Sequence, residues 1–117
     1  MSAMKHFGKI SSNSLPAMEG EDAAAFLKDF AVSEDSEKPI TCGLFRLETG
    51  KTMTYTYTYH EMKLIVEGQF EIEDGTGQKV SASQGDLFYF PKGSKITFST
   101  PDFGVGFFCG QRGEGEA

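Results

Sequence analysis

The sequence predicts an all-β fold, and three observations carry the prediction. From residue 40 onward the chain runs as short segments that alternate in polarity or are dense in β-branched and aromatic residues. Turn-forming clusters rich in Gly, Pro, Asp and Ser separate these segments. No helical repeat is interleaved among them, which favours a sandwich or barrel over a parallel α/β sheet.

The first segment, residues 40–47, alternates and ends at Glu48-Thr49-Gly50. The second, residues 52–59, contains Thr54-Tyr55-Thr56-Tyr57-Thr58-Tyr59. Its strict period of two puts the phenols on one face and the threonines on the other. Residues 62–66 lead into Glu67-Gly68, and residues 69–73 follow at once. Asp74-Gly75-Thr76-Gly77 reads as a hairpin turn, because glycine reaches positive φ at no steric cost. Residues 79–82, 87–90, 95–99 and 104–109 complete the series. Ahead of them, Ala23, Phe26, Leu27 and Phe30 recur at i, i+3, i+4 and i+7 behind Glu21 and Asp22. That spacing predicts a short helix laying its apolar face on the barrel. Residues 33–39 read as a loop, and the polar, glycine-rich residues 111–117 as a frayed tail. The expected organisation is one domain, with an N-terminal segment 1–39, a barrel 40–110 and the tail.

At 117 residues, with 38% hydrophobic content and 11 phenylalanines, the chain supports one core without disulfides or metal. A net charge of −6 argues against the basic face that nucleic acid or an anionic membrane rewards. Glu19, Glu21, Asp22, Asp29, Glu34, Asp35 and Glu37 crowd one stretch against Lys28 and Lys38, an expected solvated acidic surface. The N-terminus shows no apolar run of signal-peptide length, and no segment approaches the about 20 apolar residues of a membrane span, so the expected location is cytoplasmic. Cys42 and Cys109 follow no zinc-ligand spacing and lie in apolar runs, as buried free thiols do.

Two spacings carry chemistry: Tyr55-x-Tyr57-x3-Glu61-x6-Gly68, and Gly85-x5-Pro91-x-Gly93-x2-Ile96. They resemble the two motifs of the cupin superfamily (RmlC-like), H-x-H-x3-E-x6-G and G-x5-P-x-G-x2-H. The resemblance implies a jelly-roll β-barrel in which three histidines and the glutamate hold a transition metal. Here Tyr55, Tyr57 and Ile96 stand at the histidine positions and Glu61 at the glutamate position. Gly50 also stands one residue closer to the first ligand position than the pattern has it. One carboxylate, two neutral phenols and an aliphatic side chain make a poor site for zinc, iron or manganese, so neither metal nor cofactor is expected.

Within cupins, Ile65-Val66-Glu67-Gly68, Pro91-Lys92-Gly93-Ser94 and Phe98-Ser99-Thr100-Pro101 are most similar to the cupin domain of the EutQ family. That resemblance implies a link to ethanolamine metabolism and acetate kinase activity. The family carries Tyr-Asp-Glu-x-Asp where this chain has Tyr59-His60-Glu61-Met62-Lys63. His60 and Lys63 in place of acids change the charge of any shared site.

Glu61's motif position implies that it faces the barrel interior, and strand alternation then brings Lys63 and Ile65 in with it. Tyr55 and Tyr57 precede them, Ile96 and Phe98 line the second motif's strand, and Tyr59 and His60 complete the expected substrate pocket. A lysine inside a barrel loses its charge or pairs, which makes a Glu61–Lys63 pair the expectation. A ligand that parts the pair leaves an acid or a base, and a phenol donates to a carbonyl or enolate.

Three readings stay open. One is a metal-independent enzyme, a lyase or isomerase acting on a small carbonyl or carboxylate metabolite by isomerisation, dehydration, cyclisation or decarboxylation, with Glu61, Lys63, Tyr57 and Tyr55 as its catalytic residues. The second is a non-catalytic small-molecule binder. The third is an EutQ-like protein of ethanolamine or acetate metabolism. Gly75-Thr76-Gly77-Gln78-Lys79 has a superficial likeness to a phosphate loop but lacks the Walker spacing and opens no helix. Met62, Leu64 and Val66 make the outer face of their strand apolar as well, so either the N-terminal segment or a second subunit must cover it, and a homodimer is the favoured expectation.

Overall fold

The structure, a computed structural model, describes residues 3–21 and 23–117. Its strands are β1 (Ala25–Val32), β2 (Thr41–Glu48), β3 (Met53–Thr56), β4 (Glu61–Glu73), β5 (Lys79–Ser83), β6 (Leu87–Phe90), β7 (Lys95–Ser99) and β8 (Phe103–Gly110). They pair antiparallel in the order β1-β2-β8-β4-β7-β3, with β5 and β6 also on β4. β4 is the spine. Its first half lies between β6 and β8, and its second between β5 and β7. The residues read as two segments, 62–66 and 69–73, are thus one strand that passes from one sheet to the other.

The crossing is marked by a register shift between Ile65 and Glu67 and by φ +69° at Gly68. A Cβ at Gly68 would collide with the Phe103 carbonyl oxygen, so only glycine fits. The two sheets close on a core whose largest fully buried side chains include Phe45, Phe70, Phe98, Phe108, Leu47 and Ile65. β8 has bare inward positions that let other strands fill this space. A Cβ at Gly106 would stand 3.0 Å from both Cγ and Cδ of Lys63, and one at Gly110 would stand 3.2 Å from the Tyr59 ring.

Residues 23–30 do not form the expected helix. They lie in and just before β1, which pairs with β2 from Ala25↔Leu47 to Val32↔Thr41. A register shift between Asp29 and Ala31 breaks the period of two there, so the apolar spacing imitates a helical face. A helix this short is marginal by itself, and long-range pairing outweighs it. Among the described residues the helical segment is a 3-10 turn at Ile10–Ser12, and Asp22 lies outside them.

The tail is also tied down at its start. Arg112 is buried and donates from Nη1 and Nη2 to both carboxylate oxygens of Asp29, at 2.9 and 2.8 Å. The Gly115 amide donates to Asp29 as well, at 2.8 Å. Asp29 therefore leaves the expected solvated acidic surface. The Gly75–Lys79 stretch is a hairpin turn between β4 and β5, where Asp74 Oδ1 accepts from the Thr76 and Gln78 amides. Among the described residues no helix is long and apolar enough to cross a membrane.

Candidate functional site

The tyrosine run supplies one wall of the barrel interior. β3 ends at Thr56, yet burial still alternates through Tyr59. The Pro-x-Gly turn holds the extension: the Tyr57 amide donates to the Ser94 carbonyl at 2.9 Å and the Gly93 amide to the Tyr57 carbonyl at 2.7 Å. Gly93 makes that turn at φ +94°. The second motif thus serves here to place a tyrosine from the first.

Opposite stands β4, and its alternation turns Glu61, Lys63 and Ile65 inward, each buried. Tyr57 donates its hydroxyl proton to Glu61 Oε2 at 2.8 Å, and the Lys63 ammonium lies 3.3 Å from the same oxygen. The ammonium also donates to the Tyr57 oxygen at 3.4 Å. Aromatic faces close around the charge, with Nζ 4.5 Å from the Phe45 ring centroid and 4.6 Å from that of Phe98.

Burial lowers the Lys63 pKa from its usual value, and the Glu61 carboxylate opposes that shift. Burial and then the Glu61 charge hold the Tyr57 phenol well above its ordinary pKa, so it stays a proton donor. Tyr59 is raised too, first by burial and then by its hydrogen bond with Tyr55, whose hydroxyl lies 3.1 Å away.

The expected residues divide. Tyr55, Tyr57, Tyr59, Glu61, Lys63 and Phe98 converge on one cavity, with Met18 and Leu27 also lining it. Its volume is about 20 Å³, room for about one water. Ile65 is fully buried in the core and Ile96 lines a separate depression on the β5–β6 side, so neither lines this cavity. His60 is a correction: it is exposed, with Nδ1 2.8 Å from the Tyr89 hydroxyl and accepting from the Lys92 amide at 3.2 Å. It sits in the turn ahead of β4, one position out of phase with the inward residues.

Sequence reasoning missed Phe45, Met18 and Leu27, and it missed Arg112, whose guanidinium carbon lies 5.5 Å from the Tyr59 ring centroid. No motif joins these residues to the tyrosine strand, and only the tertiary fold brings them there.

The donor set does not fit a metal. Of the four ligand positions, Ile96 has no donor atom and Tyr57 is spent on Glu61, while the carboxylate already faces a fixed cation, Lys63.

Comparison with known proteins decides the family. The sequence profile of the family described as Ethanolamine utilisation protein EutQ matches residues 7–108. The chain belongs to the EutQ family. A EutQ relative from Clostridioides difficile (strain 630), named Acetate kinase EutQ, is 38% identical over 78 residues, covering 67% of this chain and 48% of the relative. The chain therefore spans about half the length of that relative. The solved structure of the Clostridium difficile EutQ protein superposes with TM-score 0.73 at 30% identity, covering 88% of this chain and 77% of that one. The Schizosaccharomyces pombe Cnp3 cupin domain superposes with TM-score 0.70 at 9% identity, over 87% of this chain and 66% of that one, a likeness of fold alone. The chain is a single-domain cupin barrel.

Proposed function

We propose that this chain is a metal-independent cupin module of the EutQ type that holds a two-carbon carboxylate or carbonyl metabolite at Tyr57, Glu61 and Lys63. One observation carries the reading: an ammonium stands inside the barrel, gripped by a carboxylate and a phenol from two motif ligand positions. A small carboxylate entering here takes a place beside the ammonium and displaces Glu61 as the acceptor of the Tyr57 hydroxyl, two interactions strengthened by the low-dielectric surroundings. The cavity of about 20 Å³ limits the ligand to the smallest metabolites, and on this reading lining side chains such as Met18, Leu27 and Tyr55 must shift to admit one. The family description and the relative's name, ethanolamine utilisation and acetate kinase, support two-carbon metabolism as the setting. Calorimetric titration with acetate tests the reading. Saturable binding that Lys63→Met abolishes supports it, and equal binding by both proteins sinks it.

A second reading, an acid–base lyase or isomerase, is favoured by Glu61 and Lys63 facing the same cavity 3.3 Å apart. A ligand that parts the pair leaves Lys63 ready to give up a proton and Glu61 free to accept one. Glu61→Gln then loses turnover while retaining binding, whereas retained turnover excludes Glu61 as the base.

The outer face of β4 and β6 supports a homodimer. The register pairs Met62 with Tyr89 and Leu64 with Leu87, and all four are exposed. A second copy of this chain is the proposed cover. Two free, partly exposed thiols, Cys42 and Cys109, suit a reducing compartment, and the same proposal places the chain in the cytoplasm.

A further inference from the structure

Cys42 and Cys109 are the two cysteines of the chain, and the register of β2 and β8 sets them directly opposite each other. Opposed residues of an antiparallel pair project to one face, with Cα atoms about 4.5–5.5 Å apart. That separation lies within the range of about 4.4–6.8 Å that a disulfide spans. Closing an S–S bond here needs side-chain rotation and no sliding of strands.

The face is the outer one. Thr41 and Gly43 on β2, and Phe108 and Gly110 on β8, turn to the buried side, while the two cysteines between them are partly exposed. Both border a surface cavity of about 310 Å³ beside Phe7 and Ile40, which gives a small reagent access. Both cysteines are free, and burial followed by the Cys42 neighbour pushes the Cys109 thiol up, so Cys109 rests as the protonated thiol.

We infer that Cys42 and Cys109 form a reversible dithiol–disulfide site on the outer face of β2 and β8. The oxidant is a low-molecular-weight disulfide. One cysteine loses its proton and its thiolate attacks a sulfur of that disulfide, whose S–S bond breaks to release a small thiolate that takes up a proton. The second cysteine then loses its proton, attacks the protein sulfur of the mixed disulfide and expels the second small thiolate, which is protonated in turn. The two protein thiols give up two electrons and two protons, and the small disulfide receives both. An exposed disulfide joining adjacent strands is open to the reverse exchange, as a reversible site requires.

The experiment exposes the full chain to oxidised and reduced glutathione at a series of ratios, alkylates the remaining thiols and maps the peptides by mass spectrometry. One internal linkage between the peptides bearing Cys42 and Cys109 is expected, with loss of two hydrogens from the monomer and recovery on dithiothreitol. Cys42→Ser is expected to stop at a mixed disulfide on Cys109. Wild-type thiols that stay free, become capped separately or link two chains would overturn the inference. If Cys42→Ser fails to fold, the wild-type peptide map decides alone.

Discussion

The Lys63 ammonium stands 3.3 Å from Glu61 Oε2, two residues along the same strand, with each side chain only 4% exposed. Alternate positions on a strand share a face, so this pair follows from β4 running with Glu61 inward. The carboxylate and the ammonium offset each other's desolvation, and Tyr57 completes the carboxylate's coordination.

Removing one member leaves the other buried without its partner, either charged at a desolvation cost or neutralised at the cost of its proton equilibrium. Glu61→Gln is expected to destabilise the fold by about 3–5 kcal/mol. The double variant Glu61→Gln with Lys63→Met recovers most of that loss, because no buried charge remains. Urea unfolding of the four proteins measures the coupling, and additive losses would mean that the two groups do not act as a pair.

Gly106 makes room for the Lys63 stem. Gly106→Ala places a methyl 3.0 Å from Lys63 Cγ and Cδ and is expected to cost about 1–3 kcal/mol by overpacking. Thermal unfolding checks the size. A rise in stability would show that the lysine stem lies elsewhere.

The Asp29–Arg112 pair predicts an acid limb. Burial acts to raise the Asp29 pKa, but the Arg112 and Gly115 hydrogen bonds outweigh it and hold it below the usual 3.8. Its contribution to stability is full above that usual value and is lost as pH falls through the lower folded value. Asp29→Asn is expected to be less stable than wild type near neutral pH, with the gap narrowing below about pH 4. Thermal midpoints across pH test this, and a gap independent of pH would remove Asp29 as the cause.

The paired apolar residues of β4 and β6 predict association. The wild type is expected to run as a dimer in light scattering, and Met62→Glu with Leu64→Glu as a monomer. A monomeric wild type, or a variant that stays dimeric, excludes this face.

Much of the barrel was legible in sequence because its signals are local. The strands over Leu87–Phe90 and Lys95–Ser99 lie between turn residues, and the alternation from Tyr55 to Tyr59 reports burial even where the strand stops. The β1 segment misled because a register shift between Asp29 and Ala31 disguised its period. Lys63 beside Glu61 was readable from spacing, but the phenyl faces of Phe45 and Phe98 around it were not, nor was the grip of Arg112 on Asp29. Such contacts join residues distant in the chain and leave no local pattern. The place of His60 in the turn before Glu61 was readable, but its inclusion in the pocket was not upheld, because the ring turns outward to Tyr89 and Lys92.

The central claim is that the buried ammonium serves as the barrel's ligand anchor. Titrating isotope-labelled protein with acetate while following side-chain and backbone NMR signals tests it most directly. The account predicts saturable shifts centred on Tyr57, Glu61 and Lys63 that vanish in Lys63→Met. Shifts confined to other surfaces, or none at all, would contradict it.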